Sequence, residues 1–173
     1  MRILAISGSL RAASSNKSLL EAATLVAPPG VEVVLFDGLG ELPHFNPDLD
    51  IDPAPAAVTS WREALRTAGA VLLSSPEYAH GVPGSLKNAL DWIVSSGEFM
   101  NKPVALVNAS SRGEFAQAAL AETLTVMMAR VTPAVIAVQG RKLDAPGIVA
   151  DPVFGPALRQ ALTALVEAAG TSA

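Results

Sequence analysis

Five short aliphatic runs punctuate the chain: RILAIS (2–7), VEVVLF (31–36), AVLLSS (70–75), PVALVN (103–108) and AVIAVQ (134–139). Each has strand length, and most are continuously apolar instead of alternating, the pattern of parallel strands covered on both faces. Between them, residues 15–27, 57–68, 84–97, 114–130 and 156–169 carry helical spacing. Strands alternating with helices imply βαβ units with right-handed crossovers, hence an α/β chain built on a parallel sheet. In the third helix, at about 100° per residue, Leu86, Ala89, Leu90, Ile93 and Val94 share one face. Trp92 lies off that stripe, beside Asn88. A large aromatic away from the core face predicts a second buried surface, and another subunit is its expected cover.

Residues 38–56, GLGELPHFNPDLDIDPAPA, break the rhythm with four prolines and no period. A connection that long inside a compact domain is usually functional or disordered. Leu39, Leu42, Phe45 and Leu49 give it apolar anchors, so an ordered loop packed over the sheet edge or a neighbouring subunit is expected.

Composition narrows the classes. At 173 residues the chain reads as one domain, 1–173, long enough to bury a core without disulfide or metal staples. It has no cysteine, which excludes thiol catalysis and cysteine-bound metal. The two histidines, His44 and His80, show no metal-ligand spacing. Sixteen acids against twelve scattered bases argue against a nucleic-acid surface. Half the residues are hydrophobic, yet no stretch free of Asp, Glu, Lys and Arg exceeds ten residues. A bilayer span needs about 20 apolar residues, and the N-terminal apolar run is too short for a signal peptide. A cytoplasmic protein is expected.

In a doubly wound sheet the ligand crevice lies beyond the carboxyl ends of the strands. Three polar loops leave such ends: 8–15, 75–84 and 108–114. The first, within SGSLRAASSN (7–16), places Ser9, Ser14, Ser15 and Asn16 with Arg11 at a helix N-terminus. Hydroxyl donors, a planar cation and free backbone N–H groups together suit a phosphate. The patterns GxxxxGK[ST] and GxGxxG are both missing, which favours a terminal monophosphate over a bridging pyrophosphate. The plainer alternative has Ser14 or Ser15 simply capping the helix. One serine can do both.

The second loop sits within SSPEYAHGVPGSLKNALDW (74–92). Pro76, Pro83 and Gly84 stiffen it for close approach to a flat ligand. Together with GSLRAASSN, it resembles the NAD(P)H-dependent FMN reductase family, which includes quinone, azo-dye and chromate reductases. The family pattern runs GSLRxxSxN and then PEYNxxxPGxLKNAxDW, and the likeness continues through LPHFNPDLD (42–50) and NKPVAL (101–106). The resemblance implies a flavodoxin-like three-layer sandwich with strand order 2-1-3-4-5 and FMN at the carboxyl edge. It implies NADPH or NADH as co-substrate, a homodimer or homotetramer, and an acceptor among quinones, azo or nitro compounds, metal oxyanions and free flavin. A flavodoxin-type electron carrier and a flavin-binding regulator are the alternatives.

Carried onto this sequence, Ser9, Arg11, Ser14, Ser15 and Asn16 would hold the phosphate. Pro76, Glu77, Tyr78, Ala79 and Gly81 would line the isoalloxazine ring, and Ser110, Ser111 and Gly113 would close the third side. Ala79 replaces the family's Asn, removing a polar contact. The chemistry would sit on the flavin, with no side chain as acid–base catalyst. Glu77 is expected to make a loop or intersubunit hydrogen bond. His80 is expected to be solvent-facing or structural, with contact to substrate the alternative, and Arg112 to be solvated, with contact to the extra phosphate of NADPH the alternative.

Overall fold

The computed structural model describes residues 1–110, 113–134 and 143–170. The strands are β1 Arg2–Ser7, β2 Glu32–Phe36, β3 Ala70–Ser74, β4 Pro103–Val107 and β5 Arg130–Ala134. The helices are α1 Ser15–Leu25, α2 Ala56–Arg66, α3 Gly84–Asp91, α4 Glu114–Val126, α5 Ala145–Ala150 and α6 Phe154–Gly170. All five strands pair in parallel in the order β2-β1-β3-β4-β5, the flavodoxin-like arrangement.

Period-two alternation divides each strand between two cores. Ile3, Ala5, Ala70, Leu72 and Ala105 face Leu19 and Leu20 of α1, Ile148 of α5 and Leu158 and Leu162 of α6. Leu4, Ile6, Val71, Leu73, Val104 and Leu106 face Trp61 of α2, Leu86 and Leu90 of α3 and Leu120 and Leu124 of α4. Every residue of β3 and β4 is buried, as continuously apolar strands between helix layers require.

Several boundaries differ from the sequence pattern, each for a local reason. The third helix ends at Asp91 instead of continuing to 97. Arg62 donates to the Trp92 carbonyl at 2.6 and 3.2 Å, occupying an acceptor that a continuing helix uses. The chain then tightens into i−3 bonds, Ile93 N–H to Leu90 and Val94 N–H to Asp91. α4 stops at Val126, where Met128 turns left-handed at φ 60°. Met128 N–H donates to Thr125 and Ala129 N–H to Leu124, a Schellman closure made without glycine. β5 begins at Arg130, ahead of the expected 134, and includes Pro133, tolerated because β5 is an edge strand. Residues 135–139 of the expected strand lie outside those described. α5 was not anticipated; its start is marked by Asp144, whose carboxylate accepts from Gly147 N–H, followed by Pro146.

The long 38–56 connection is ordered and packs on its own chain. It forms two 3-10 turns, Gly38–Glu41 and Pro47–Leu49, and buries Leu39 and Leu42 in the α2/α3 core. This overturns the expected covering of Trp92 by another subunit. Trp92 is fully buried within the chain. Its Nε1–H donates to the Pro43 carbonyl at 2.8 Å, and Phe45 meets it edge-on, centroids 5.1 Å apart. Asn88 clamps the same segment, donating to Pro43 and accepting from Phe45 N–H at 2.7 Å. The second surface beside the apolar stripe is real, and the loop supplies its cover. No helix among the described residues is long and apolar enough to cross a membrane.

Candidate functional site at the carboxyl edge

The parallel sheet brings the loops after β1, β3 and β4 to one edge. Glycine at position 8 is required by proximity: its N–H donates to the Ser74 carbonyl at 2.8 Å, and a Cβ there would stand 2.6 Å from Ser75 Oγ. The following residues brace each other. Ser7 Oγ accepts from Ser9 N–H, and Ser9 Oγ accepts from Arg11 N–H at 3.3 Å. Ser9 and Ser14 are buried, while Arg11 and Ser15 are exposed. The Arg11 guanidinium forms no ion pair among the described residues, whereas nearby Lys17 pairs with Asp37 at 3.7 Å.

Ser14 occupies the N-cap of α1 with extended backbone, yet its hydroxyl makes no capping hydrogen bond. The simple-cap alternative is therefore not what this loop adopts. The first-turn N–H groups of α1 point at the loop, at the positive end of the helix dipole. Asn16 is buried and accepts from Ser74 Oγ at 2.8 Å, which locks α1 to the end of β3. Hydroxyls, first-turn N–H groups and a cation gather at this loop, and Asp37, which lines the same cleft, is paired with Lys17. That donor set fits a phosphomonoester.

The second loop is tied to the third by Glu77, whose Oε2 accepts from Ala116 N–H at 2.9 Å. A carboxylate at the first turn of α4 is favoured by the helix dipole, and Glu77 is accounted for as a hydrogen-bonding loop residue. Tyr78 and Gly81 exchange backbone hydrogen bonds at 2.9 and 3.0 Å, closing a two-residue turn. Its centre, Ala79 and His80, has φ of 48° and 61°, both left-handed, as in a type I′ turn. Pro76 and Glu77 are half-buried, and Tyr78, Ala79 and His80 are exposed. The departure at Ala79 thus has a backbone consequence besides a lost amide: asparagine adopts this conformation readily, whereas alanine adopts it under strain.

On the third side, Asn108 Oδ1 accepts from Ser110 N–H at 2.9 Å. Gly113 has φ 138°, and a Cβ on it would lie 3.1 Å from Asn108 Nδ2. Ser111 and Arg112 lie outside the described residues. Two participants escaped the sequence reading. Phe115 stacks on His80, centroids 4.3 Å apart; its signal was a large aromatic in the first turn of a helix. Gln117 Nε2 is buried with no hydrogen-bond partner among the described residues, and nothing in the sequence marks it.

Known proteins share this fold and much of this sequence. A flavoenzyme described as an NAD(P)H:(acceptor) oxidoreductase from Paracoccus denitrificans superposes with TM-score 0.78 at 27% identity, covering 98% of this chain and 97% of that one. An NAD(P)H-dependent FMN reductase of Pseudomonas aeruginosa is 41% identical over 120 residues, 68% of this chain and 64% of that protein. A quinone reductase of Escherichia coli is 33% identical over 116 residues, 65% of this chain and 61% of that protein. The matches span less than two-thirds of each of these two curated relatives. The model of the NADPH-dependent FMN reductase family matches residues 1–142, a span holding all three loops, and the chain belongs to that family.

Proposed function

We propose that the chain binds FMN across the three loops and acts as an NAD(P)H-dependent oxidoreductase of the quinone-reductase type. The observation that carries this reading is the first loop, where the Ser14 hydroxyl makes no capping bond at a helix N-terminus and Arg11 of the same loop is exposed and forms no ion pair among the described residues. Ser9, Arg11, Ser14, Ser15 and Asn16 hold the phosphate. Pro76, Glu77, Tyr78, Ala79 and Gly81 border the isoalloxazine ring. The N–H groups of Tyr78 and Gly81 are already spent on each other, so backbone recognition falls to Glu77 and the turn centre. Ser110, Ser111 and Gly113 close the third side, where Gly113 admits close approach.

FMN, when bound, supplies the redox chemistry, taking a hydride from the nicotinamide of NADPH or NADH and returning two electrons to an acceptor. The protein's part is to bind and orient. No side chain serves as acid–base catalyst. Acceptors of this class are quinones, azo or nitro compounds, metal oxyanions and free flavin. The working form is a cytoplasmic homodimer, or a tetramer built from it.

The test is to load the protein with FMN, remove the excess, and add NADPH or NADH anaerobically while following flavin absorbance. Bleaching that reverses with a quinone is expected; retained colour that never bleaches would make the protein a carrier or regulator. Arg11→Ala should weaken FMN binding about 10- to 100-fold, the scale of one charged hydrogen bond. Unchanged affinity would remove the first loop from the site.

A further inference from the structure

The second and third loops meet a second time, outside the Glu77 contact. The His80 ring lies on Phe115 with centroids 4.3 Å apart and planes 21° from parallel. Both side chains are exposed, Phe115 by 59%. Two stacked rings that remain exposed among the described residues offer flat aromatic surface to a ligand. His80 is also delivered there by a strained turn, with Ala79 and His80 at φ 48° and 61°. Strain of this kind persists where surrounding contacts enforce it, and it concentrates at ligand clamps. Here the Tyr78–Gly81 pairing and the Glu77 anchor on α4 enforce it. The turn is therefore fixed before any ligand arrives.

We propose that the His80–Phe115 pair is the platform on which a planar conjugated acceptor of the quinone class rests, and that it sets acceptor specificity. This rests on the oxidoreductase reading above. Aromatic faces favour offset stacking with flat π-systems. A preformed stack loses little freedom on receiving a third ring. A compact inorganic acceptor gains nothing from such a surface. The pair binds and orients only; the two electrons that reduce the quinone come from the nicotinamide by way of the cofactor.

The experiment uses FMN-loaded, oxidised protein and three variants, His80→Ala, Phe115→Ala and His80→Phe. Anthraquinone-2-sulfonate is titrated by calorimetry, and steady-state KM is measured with 1,4-naphthoquinone and with hexacyanoferrate(III). Each alanine variant should bind the anthraquinone about three- to tenfold more weakly, the range of one aromatic pair. KM for naphthoquinone should rise by a similar factor, while KM for hexacyanoferrate and the affinity for FMN stay unchanged. His80→Phe, which keeps the stack, should remain within about twofold of wild type. Unchanged anthraquinone affinity in both alanine variants overturns the proposal. Equal losses with both acceptors, accompanied by weaker FMN binding, overturn it too, since the pair would then only brace the loop. A changed sedimentation coefficient in either alanine variant would make the pair a subunit contact and equally overturn it. Anaerobic bleaching of the wild type, run alongside, tests the oxidoreductase reading separately, because calorimetric binding of the anthraquinone needs no turnover.

Discussion

Ala79 occupies a backbone conformation that its side chain opposes. At φ 48° the Cβ crowds the following carbonyl, a cost of roughly 1–2 kcal/mol for residues other than glycine and asparagine. The residue is exposed, so a larger polar side chain meets no packing obstacle. Ala79→Asn should stabilise the protein by about 0.5–1 kcal/mol, raising the thermal midpoint by about 1–4 °C. A lowered midpoint would show that the turn is not strained as described. Single residues differ in how far the sequence reveals them. Ser9, Ser14 and Asn16 stood out in the sequence because hydroxyls and an amide crowd at a strand-to-helix junction; the structure uses Asn16 to hold Ser74, a partner that spacing does not reveal. The stack of His80 on Phe115 was not, since it joins residues on different loops whose meeting depends on the Glu77–Ala116 bond. Trp92 shows the intermediate case: its position off the helical stripe revealed a buried surface, but spacing cannot distinguish a neighbouring subunit from a loop of the same chain.

Among the elements, the 38–56 connection is seated by a polar knot at its far end as well as by Asn88 and Trp92. Asp50 pairs with Arg62 at 2.8 Å and accepts from Ser95 Oγ at 2.6 Å. The Asp50 and Arg62 side chains are only 15 and 14% exposed. The Ser95 hydroxyl and, after it, the Arg62 guanidinium hold the Asp50 carboxyl below its ordinary value of 3.8, against burial, which raises it. A carboxyl with a depressed folded-state pKa stabilises the fold above its unfolded value and loses that contribution as pH falls through the folded value. Asp50→Asn should therefore cost about 1–3 kcal/mol between pH 5 and 7, and the gap should narrow progressively as pH falls below the ordinary value of 3.8. Urea unfolding of both proteins across that range is the check; a gap independent of pH would assign the loss to packing. The same knot explains a boundary that periodicity missed, for Arg62 also takes the Trp92 carbonyl and ends α3 early. Helix α4 was over-read because Met128 fills the left-handed closing position where a glycine would have announced the stop. Strands β1 to β4 were legible because burial writes them as continuous apolar runs; β5 began earlier than its run and α5 was missed, and ends were not legible because single tertiary hydrogen bonds set them.

Across the whole molecule, apolar surface is distributed unevenly once the long loop has covered Trp92. Val94, Met100, Val126 and Met128 remain 64, 53, 73 and 56% exposed. They border one groove of about 470 Å³ between the residues after α3 and the end of α4, floored by Ile93 and Phe99. Scattered exposed aliphatics are ordinary on a protein surface, but four gathered on one cleft are a patch of the kind that marks a protein contact. The proposed homodimer gives that patch a cover. It moves the expected interface from Trp92 itself to the segment just beyond it, together with the end of α4. Of the charged rim, Lys87, Asp91 and Glu122, Lys87 and Asp91 already pair with each other at 2.6 Å, which leaves the apolar centre as the feature a second copy would cover. Val126→Lys is the substitution that tests this, because Val126 is the most exposed of the four and a lysine there does not disturb the fold of an isolated chain. Sedimentation velocity at micromolar concentration should show a wild-type dimer and a Val126→Lys monomer, with FMN affinity in the monomer reporting whether the site needs its partner. A wild-type monomer would separate this surface from assembly altogether. A dimer that survives the lysine would place the contact elsewhere on the molecule.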